Sequence, residues 1–349
     1  MARLTSTVAI SFAILVCLPL PGKSQRPDYL VYFIAKETFA SVPLQAPELE
    51  NNPATPAKRE LGKMLFFDPR LSPDGTSSCH SCHDLTAGGA SSKSASFGHH
   101  WQKEPRNAPT VFNAIFNTAK FWDGRSADLT ARSGHPVEAR LELGDDAAVV
   151  VARLGSIPGY VRRFAAAFPD DPEPVNHHNM ALALECFQAT LITSRSRFDR
   201  YLDGDVKVLK SNEEAGLRAF TLKGCTICHT GVNLGGDSYY PFGVFEQPPV
   251  GIRPEADRGR FAVTASKSDD YVFRASPLRN IALTSPYFHS GQVESLEEAV
   301  AIMSSSQMGG TLTDQEVSDI VAFLQTLTGR LPTIESPALP PSPSTPALR

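Results

Sequence analysis

The apolar positions along this chain recur mostly at helical spacing. In "TDQEVSDIVAFLQTLTG", Val317, Ile320, Val321, Leu324 and Leu327 fall on one stripe of a 3.6-residue helix. Thr313 with Glu316 supplies a capping box at its start, and Gly329 marks its stop. "SLEEAVAIM" repeats the device: Ser295 and Glu298 open the segment, and Leu296, Val300 and Met303 share a face. Residues 179 to 202 read as another long helix. Strand-like alternation is scarce. Pro and Gly punctuate long loops around 66–76, 88–110 and 235–260. The pattern predicts a mainly α protein with long loops.

The two ends depart from this pattern. "MAR" followed by the apolar run "VAISFAILVCLPL" and then "PGKSQ" has the layout of a secretory signal, read here as residues 1–25. The run is too short to span a bilayer comfortably. Cys17 lies inside it, behind the bulky Val16, so it is read as part of the leader and not as a lipid-attachment site. At the other end "PTIESPALPPSPSTPALR", residues 332–349, is rich in Pro and Ser, which predicts a disordered tail. About 300 residues remain between, enough for two cores of ordinary domain size. A formal net charge of −4 argues against a nucleic-acid binder and suits a basic redox partner.

Candidate chemistry comes from the cysteines. "GTSSCHSCHDL" places Cys79 and Cys82 two residues apart with His83 directly after them, and "GCTICHTG" repeats this with Cys225, Cys228 and His229. A zinc ribbon needs two such pairs about 15–20 residues apart, and here well over a hundred (~140) separate them. A thioredoxin-like site needs one motif beside a βαβ pattern. Cys-x-x-Cys-His is the signature of c-type haem attachment: two thioethers fix the porphyrin edge and the adjacent imidazole reaches the iron. Two covalently bound haems c are therefore expected, and with them a location outside the cytoplasm. The remaining Cys186, in "MALALECFQATL", reads as a buried small hydrophobe. The predicted architecture is two cytochrome c-like helical haem domains, residues 26–205 and 206–331, meeting near "LDGDVKVLKSNEE".

Five strings then carry a resemblance. "LGKMLFFDPRLSPDGTSSCHSCH", "RNAPTVFNAIFN", "FWDGR", "GLRAF…GCTICHTG" and "PLRNIALTSPYFHSG" together resemble the bacterial di-haem cytochrome c peroxidases and the related MauG proteins, across residues 40 to 330. The resemblance implies a periplasmic enzyme that reduces hydrogen peroxide with electrons from a small monohaem cytochrome c or a cupredoxin. It implies that the first haem (Cys79, Cys82, His83) is the low-potential, peroxide-reacting one, with His99 as its removable sixth ligand and His100 as the alternative. The second haem (Cys225, Cys228, His229) would be the electron store. Met303 would be its distal ligand, with Met308 as runner-up, since thioether sulfur raises the potential relative to a second imidazole. MauG proteins carry a tyrosine at that position, so Met303 favours the peroxidase. His289 would lie near the second haem without coordinating it.

The same resemblance assigns Glu142 as distal acid–base, with Glu138 as fallback, and Trp122 as an indole between the haems. It implies a calcium ion held by Asn107 and the backbone oxygens of Thr284 and Pro286, and a homodimer. Two residues depart from the family pattern: Arg132 stands where a glutamine is usual, and His135 where a glycine is usual. Arg132 is placed to donate hydrogen bonds to bound peroxide; the plainer reading is a loop variant facing solvent. Three other functions remain open on the sequence: a MauG-like enzyme oxidising residues of a partner protein, a di-haem electron carrier, and a structural or sensory haem protein.

Overall fold

The structure is a computed structural model that describes residues 28–95, 103–126, 146–310 and 312–342. His99, His100, Arg132, His135, Glu138 and Glu142, together with the leader, lie outside the described residues. Among those residues the elements are helices joined by long loops, with one two-stranded sheet. The helices are α1 (Tyr29–Thr38), α2 (Pro56–Phe67), α3 (Cys79–Cys82), α4 (Ala147–Gly155), α5 (Pro158–Ala167), α6 (His177–Gln188), α7 (Arg197–Leu202), α8 (Ser211–Leu222), α9 (Phe261–Thr264), α10 (Leu296–Met308) and α11 (Asp314–Gln325). Strands β1 (Tyr239–Pro241) and β2 (Val272–Arg274) pair antiparallel, with Tyr239 opposite Arg274. No helix among the described residues is long and apolar enough to cross a membrane.

Local signals set the helix ends. The Thr55 hydroxyl accepts from the Lys58 amide and Pro56 occupies the first turn of α2, where its missing N–H costs nothing. Thr313 and Glu316 form the expected capping box on α11, and Ile320, Val321, Leu324 and Leu327 are buried. Ser295 caps α10 by accepting from the Glu298 amide, and its hydroxyl donates to Glu297.

The single long helix expected over residues 179–202 is two. Helix α6 ends at Gln188, an extended stretch follows, and Ser196 caps α7 with Asp199 in a reciprocal box. The break has a physical cause. Thr193 gives its amide to Asn113 Oδ1 (2.8 Å), and Leu191 gives its carbonyl to the Asn113 amide (2.8 Å), so this backbone is satisfied from another loop instead of by helix.

Among the described residues the two larger apolar cores are each centred on one closely crossed helix pair. In the first, α2 crosses α6. A Cβ at Gly62 would lie 1.9 Å from the Ala183 carbonyl oxygen, so only glycine permits the contact, and one turn on Phe66 meets Phe187 edge-on at 5.3 Å. The second repeats this with α8 and α11: Gly216 sits against the Asp319 carbonyl, where a Cβ would be 1.8 Å away, and Phe220 meets Phe323 at 5.4 Å. The repeat extends to the boundary. Asn113 and Asn280 both adopt positive φ (58° and 61°) and both donate from Nδ2 to the same Thr193 hydroxyl, each at 2.8 Å.

The cores are not divided at the expected boundary. Helix α1 contributes Val31, Ala35 and Phe39 to the second core, and α7 adds Phe198, Tyr201 and Leu202. Fully buried Arg279, from the "PLRN" string, staples these pieces. It pairs with Asp199 (2.8 Å) and donates to the carbonyls of Ala40 and Val232. The tail makes the opposite crossing. Residues 331–342 have no regular structure, yet Leu331, Ile334 and Leu339 rest on the first core, Pro340 covers Gly159, and Arg70 donates to Pro340 O and Ser342 Oγ. The few apolar side chains of this stretch thus pack on the first core without regular structure.

Candidate active site and haem pockets

Both attachment motifs sit on a single short turn. The first is α3, opened by Ser78 and Ser81 as reciprocal caps, with the His83 amide bonded to Cys79 O (2.9 Å). The second is a 3-10 turn over Cys225–Ile227, entered through Gly224 at φ 90° and closed by the His229 amide on Cys225 O (3.0 Å). In the second motif both thiols and the imidazole face one cavity. Each imidazole has a backbone carbonyl at Nδ1. His83 Nδ1 lies 3.0 Å from Pro109 O and His229 Nδ1 lies 3.0 Å from Leu234 O. A carbonyl only accepts, so Nδ1 carries the proton and Nε2 keeps its lone pair for a metal. Burial also lowers the His229 pKa, favouring the neutral ring that an iron requires.

The thiols fit thioether chemistry better than zinc. None of the four is disulfide-bonded. Burial pushes Cys225 up to about 11 and raises Cys228 as well, which disfavours the thiolates a zinc site uses. Among the described residues no three or more His, Cys, Asp or Glu side chains gather as a metal site.

A cavity of about 220 Å³ opens beside the second motif. Its wall includes Cys225, Cys228, His229, Phe220 and Leu324 on one side, and Met303 and Met308 of α10 on another. Two thiols, a proximal imidazole and a thioether thus share one apolar hollow, the donor set of a His/Met haem c. The residues fit the group. Met308 reaches over Gly224, where a Cβ would lie 2.4 Å from its methyl carbon, whereas Met303 belongs to the small core of Phe242, Phe273, Tyr287 and Val293.

Residues from the first half close the cavity. Trp122 and Asn107 line it, and the Trp122 indole N–H donates to Asn107 O (2.9 Å). Asn107 is buried; its amide nitrogen donates to the Ser91 and Lys93 carbonyls, and its backbone N–H donates to His289 O. Thr284 and Pro286 line the same cavity.

His289 lies 6.3 Å from Trp122, ring to ring, and stacks on Phe273 at 4.2 Å. Burial pushes its imidazole down to about 4, against the pull of Asp257, whose Oδ2 is 3.8 Å from Nε2. Asp257 in turn is held by Arg106 through two bonds of 2.7 and 2.6 Å, and Arg106 also reaches Asp123 at 2.7 Å. Burial opposes ionisation of Asp257, yet Arg106 keeps its carboxyl below the ordinary carboxylate range. The sequence offered no signal for this cluster, because Arg106 and Asp257 are 151 residues apart.

Comparison with known proteins agrees with this geometry. The sequence profile of the family described as "Di-haem cytochrome c peroxidase" matches residues 56–207. The chain is 51% identical to the cytochrome c551 peroxidase of Pseudomonas aeruginosa over 89% of this chain and 90% of that one. It is 43% identical to the cytochrome c551 peroxidase of Nitrosomonas europaea over 87% of this chain and 91% of that one. Among solved structures, a MauG-like protein associated with microbial copper homeostasis superposes with a TM-score of 0.73 at 31% identity, covering 82% of this chain and 95% of that one. Half of all positions shared along nine-tenths of both chains settles the kinship: this chain belongs to the di-haem cytochrome c peroxidase family.

Proposed function

We propose that this chain reduces hydrogen peroxide to two waters, with two electrons and two protons entering per turnover, and that its two halves divide the work. The covalent haems supply the redox-active iron. At the first haem, His83 would bind the iron and His99 would be its removable second ligand. Glu142 would carry a proton from the near oxygen of peroxide to the far one. Arg132 donates hydrogen bonds to the departing oxygen. At the second haem, the electron store, His229 and Met303 would be the iron ligands, and Trp122 would act as a polarisable bridge to the other half.

Asn107 with the carbonyls of Thr284 and Pro286 forms an oxygen site suited to calcium. The chain works in the periplasm as a homodimer and draws electrons from a small monohaem cytochrome c or a cupredoxin, for which a net charge of −4 favours a basic donor face.

The observation that carries this reading is the shared wall. Trp122 and Asn107 of the first half line the same cavity as Cys225, Cys228, His229 and Met303 of the second, which supports Trp122 as the link between the halves. The test is anaerobic addition of one electron per chain, followed by optical and spin-state spectroscopy and then a peroxide assay. The expected result is reduction at the second haem, a change of ligation at the first, and peroxide turnover. Two irons that stay six-coordinate and ignore peroxide would mark an electron carrier instead. Met303→Ala should alter the spectrum of the second haem alone.

A further inference from the structure

A haem c brings two carboxylates with it, and an apolar cavity must place them. Among the described residues that line the hollow beside Cys225 and Cys228, none is Asp or Glu, and two carry fixed positive charge: Lys223 and Arg274. They differ in setting. Lys223 stands at the surface, with its side chain 45% exposed, and its ammonium pairs with Glu316 at 2.7 Å. Arg274 is buried at 5% exposure on the last position of β2. Its Nε donates to Phe121 O (3.2 Å), which fixes the arm of the guanidinium, and its backbone N–H donates to Trp122 O (2.8 Å). Gly236 leaves the fork its room: a Cβ there would meet the Asn117 amide at 2.2 Å and Arg274 Nη1 at 3.4 Å.

We infer that Arg274 is the carboxylate anchor of the second haem, a buried guanidinium that binds a propionate and so sets the potential of the electron store. The inference rests on the two-haem reading above. A planar fork matches a carboxylate in two parallel bonds, and burial makes the pairing strong. The electrostatics give the sign. Reduction adds a negative charge at the iron, so a fixed cation beside the propionates favours the reduced form and raises the potential. Arg274 is also bonded through its backbone to the Trp122 peptide, so the group that steadies the stored electron is tied to the segment that separates the two halves. It is a positioning residue: it acts on the haem edge, away from the iron.

The experiment is a spectroelectrochemical titration of the holoprotein at about pH 5 to 8, the range into which burial raises an unpaired carboxylic acid, on wild type, Arg274→Gln, Arg274→Lys and Lys223→Gln. Haem content is measured first. Two haems with two separate transitions uphold the underlying reading, and one or none would sink that reading by itself. In wild type the midpoint of the second haem should be flat with pH, because a paired propionate stays ionised. Arg274→Gln should lower that midpoint by a tenfold change in the one-electron equilibrium, about 59 mV, and make it fall as pH rises. Arg274→Lys should recover most of the shift, and Lys223→Gln should leave the midpoint in place. A sloping wild-type midpoint, or an Arg274→Gln holoprotein with unchanged potential, overturns the proposal. The wild-type slope decides even where the glutamine variant does not load haem.

Discussion

His289 shows how one buried residue carries a pH dependence for the whole chain. Its imidazole is neutral in the folded protein and titrates near 4 against an ordinary value of 6.5, because burial outweighs Asp257 while Arg106 and Arg253 add repulsion. Between those two values the unfolded chain binds the proton and the folded chain does not. Stability therefore falls as pH drops from about 6.5 to about 4, by roughly 3 kcal/mol. Denaturant titrations across this window should show the loss, and His289→Asn should flatten it; an identical slope in the variant would assign the effect elsewhere. The attachment cysteines and histidines were legible in sequence because covalent chemistry fixes their spacing. Met303 and Trp122 were named through the resemblance, and both line the cavity. Arg106, Asp257 and Arg274 were not, since their partners come from remote loops and from backbone carbonyls.

At the scale of elements, the helical periodicity was readable wherever caps and apolar stripes agreed, as in α10 and α11. It failed over residues 179–202, where the pattern continues but the backbone between Gln188 and Arg197 is claimed by Asn113. Periodicity reports which side chains are apolar. It is blind to a competing hydrogen-bond partner 80 residues away. The glycines of the crossed pairs give a direct test. Gly216→Val would drive a side chain into the Asp319 carbonyl and part α8 from α11, costing about 3 kcal/mol or more. Because Phe220 and Leu324 of the same pair line the cavity, the variant should also load less haem at the second site while the first is retained. Equal loss at both sites would show that the halves do not fold as separate units.

The whole molecule is closed by its ends. Helix α1 finishes the second core, and residues 331–342 finish the first. Composition suggested a loose tail because Pro and Ser dominate it; what composition cannot show is that Leu331, Ile334 and Leu339 meet a surface shaped for them. Truncation after Arg330 should remove that contact and the two bonds from Arg70, lowering stability by about 2–3 kcal/mol. The loss belongs to the first half, so its haem transition should broaden or shift while the second stays put. An unchanged melting curve would mean the strap only rests on the surface.

That strap has a consequence for how the protein comes into being. A chain is made from its amino end, so the hydrophobic centre around Gly62 and Ala183 is complete in sequence long before the segment that shields Gly159 has been synthesised. The earlier half must wait, partly uncovered, for residues 331–342, and the later half cannot close without α1, which was made long before it. Maturation of either porphyrin site thus becomes a late event shared by both, and a prematurely terminated polypeptide would lack the last cover of its oldest part.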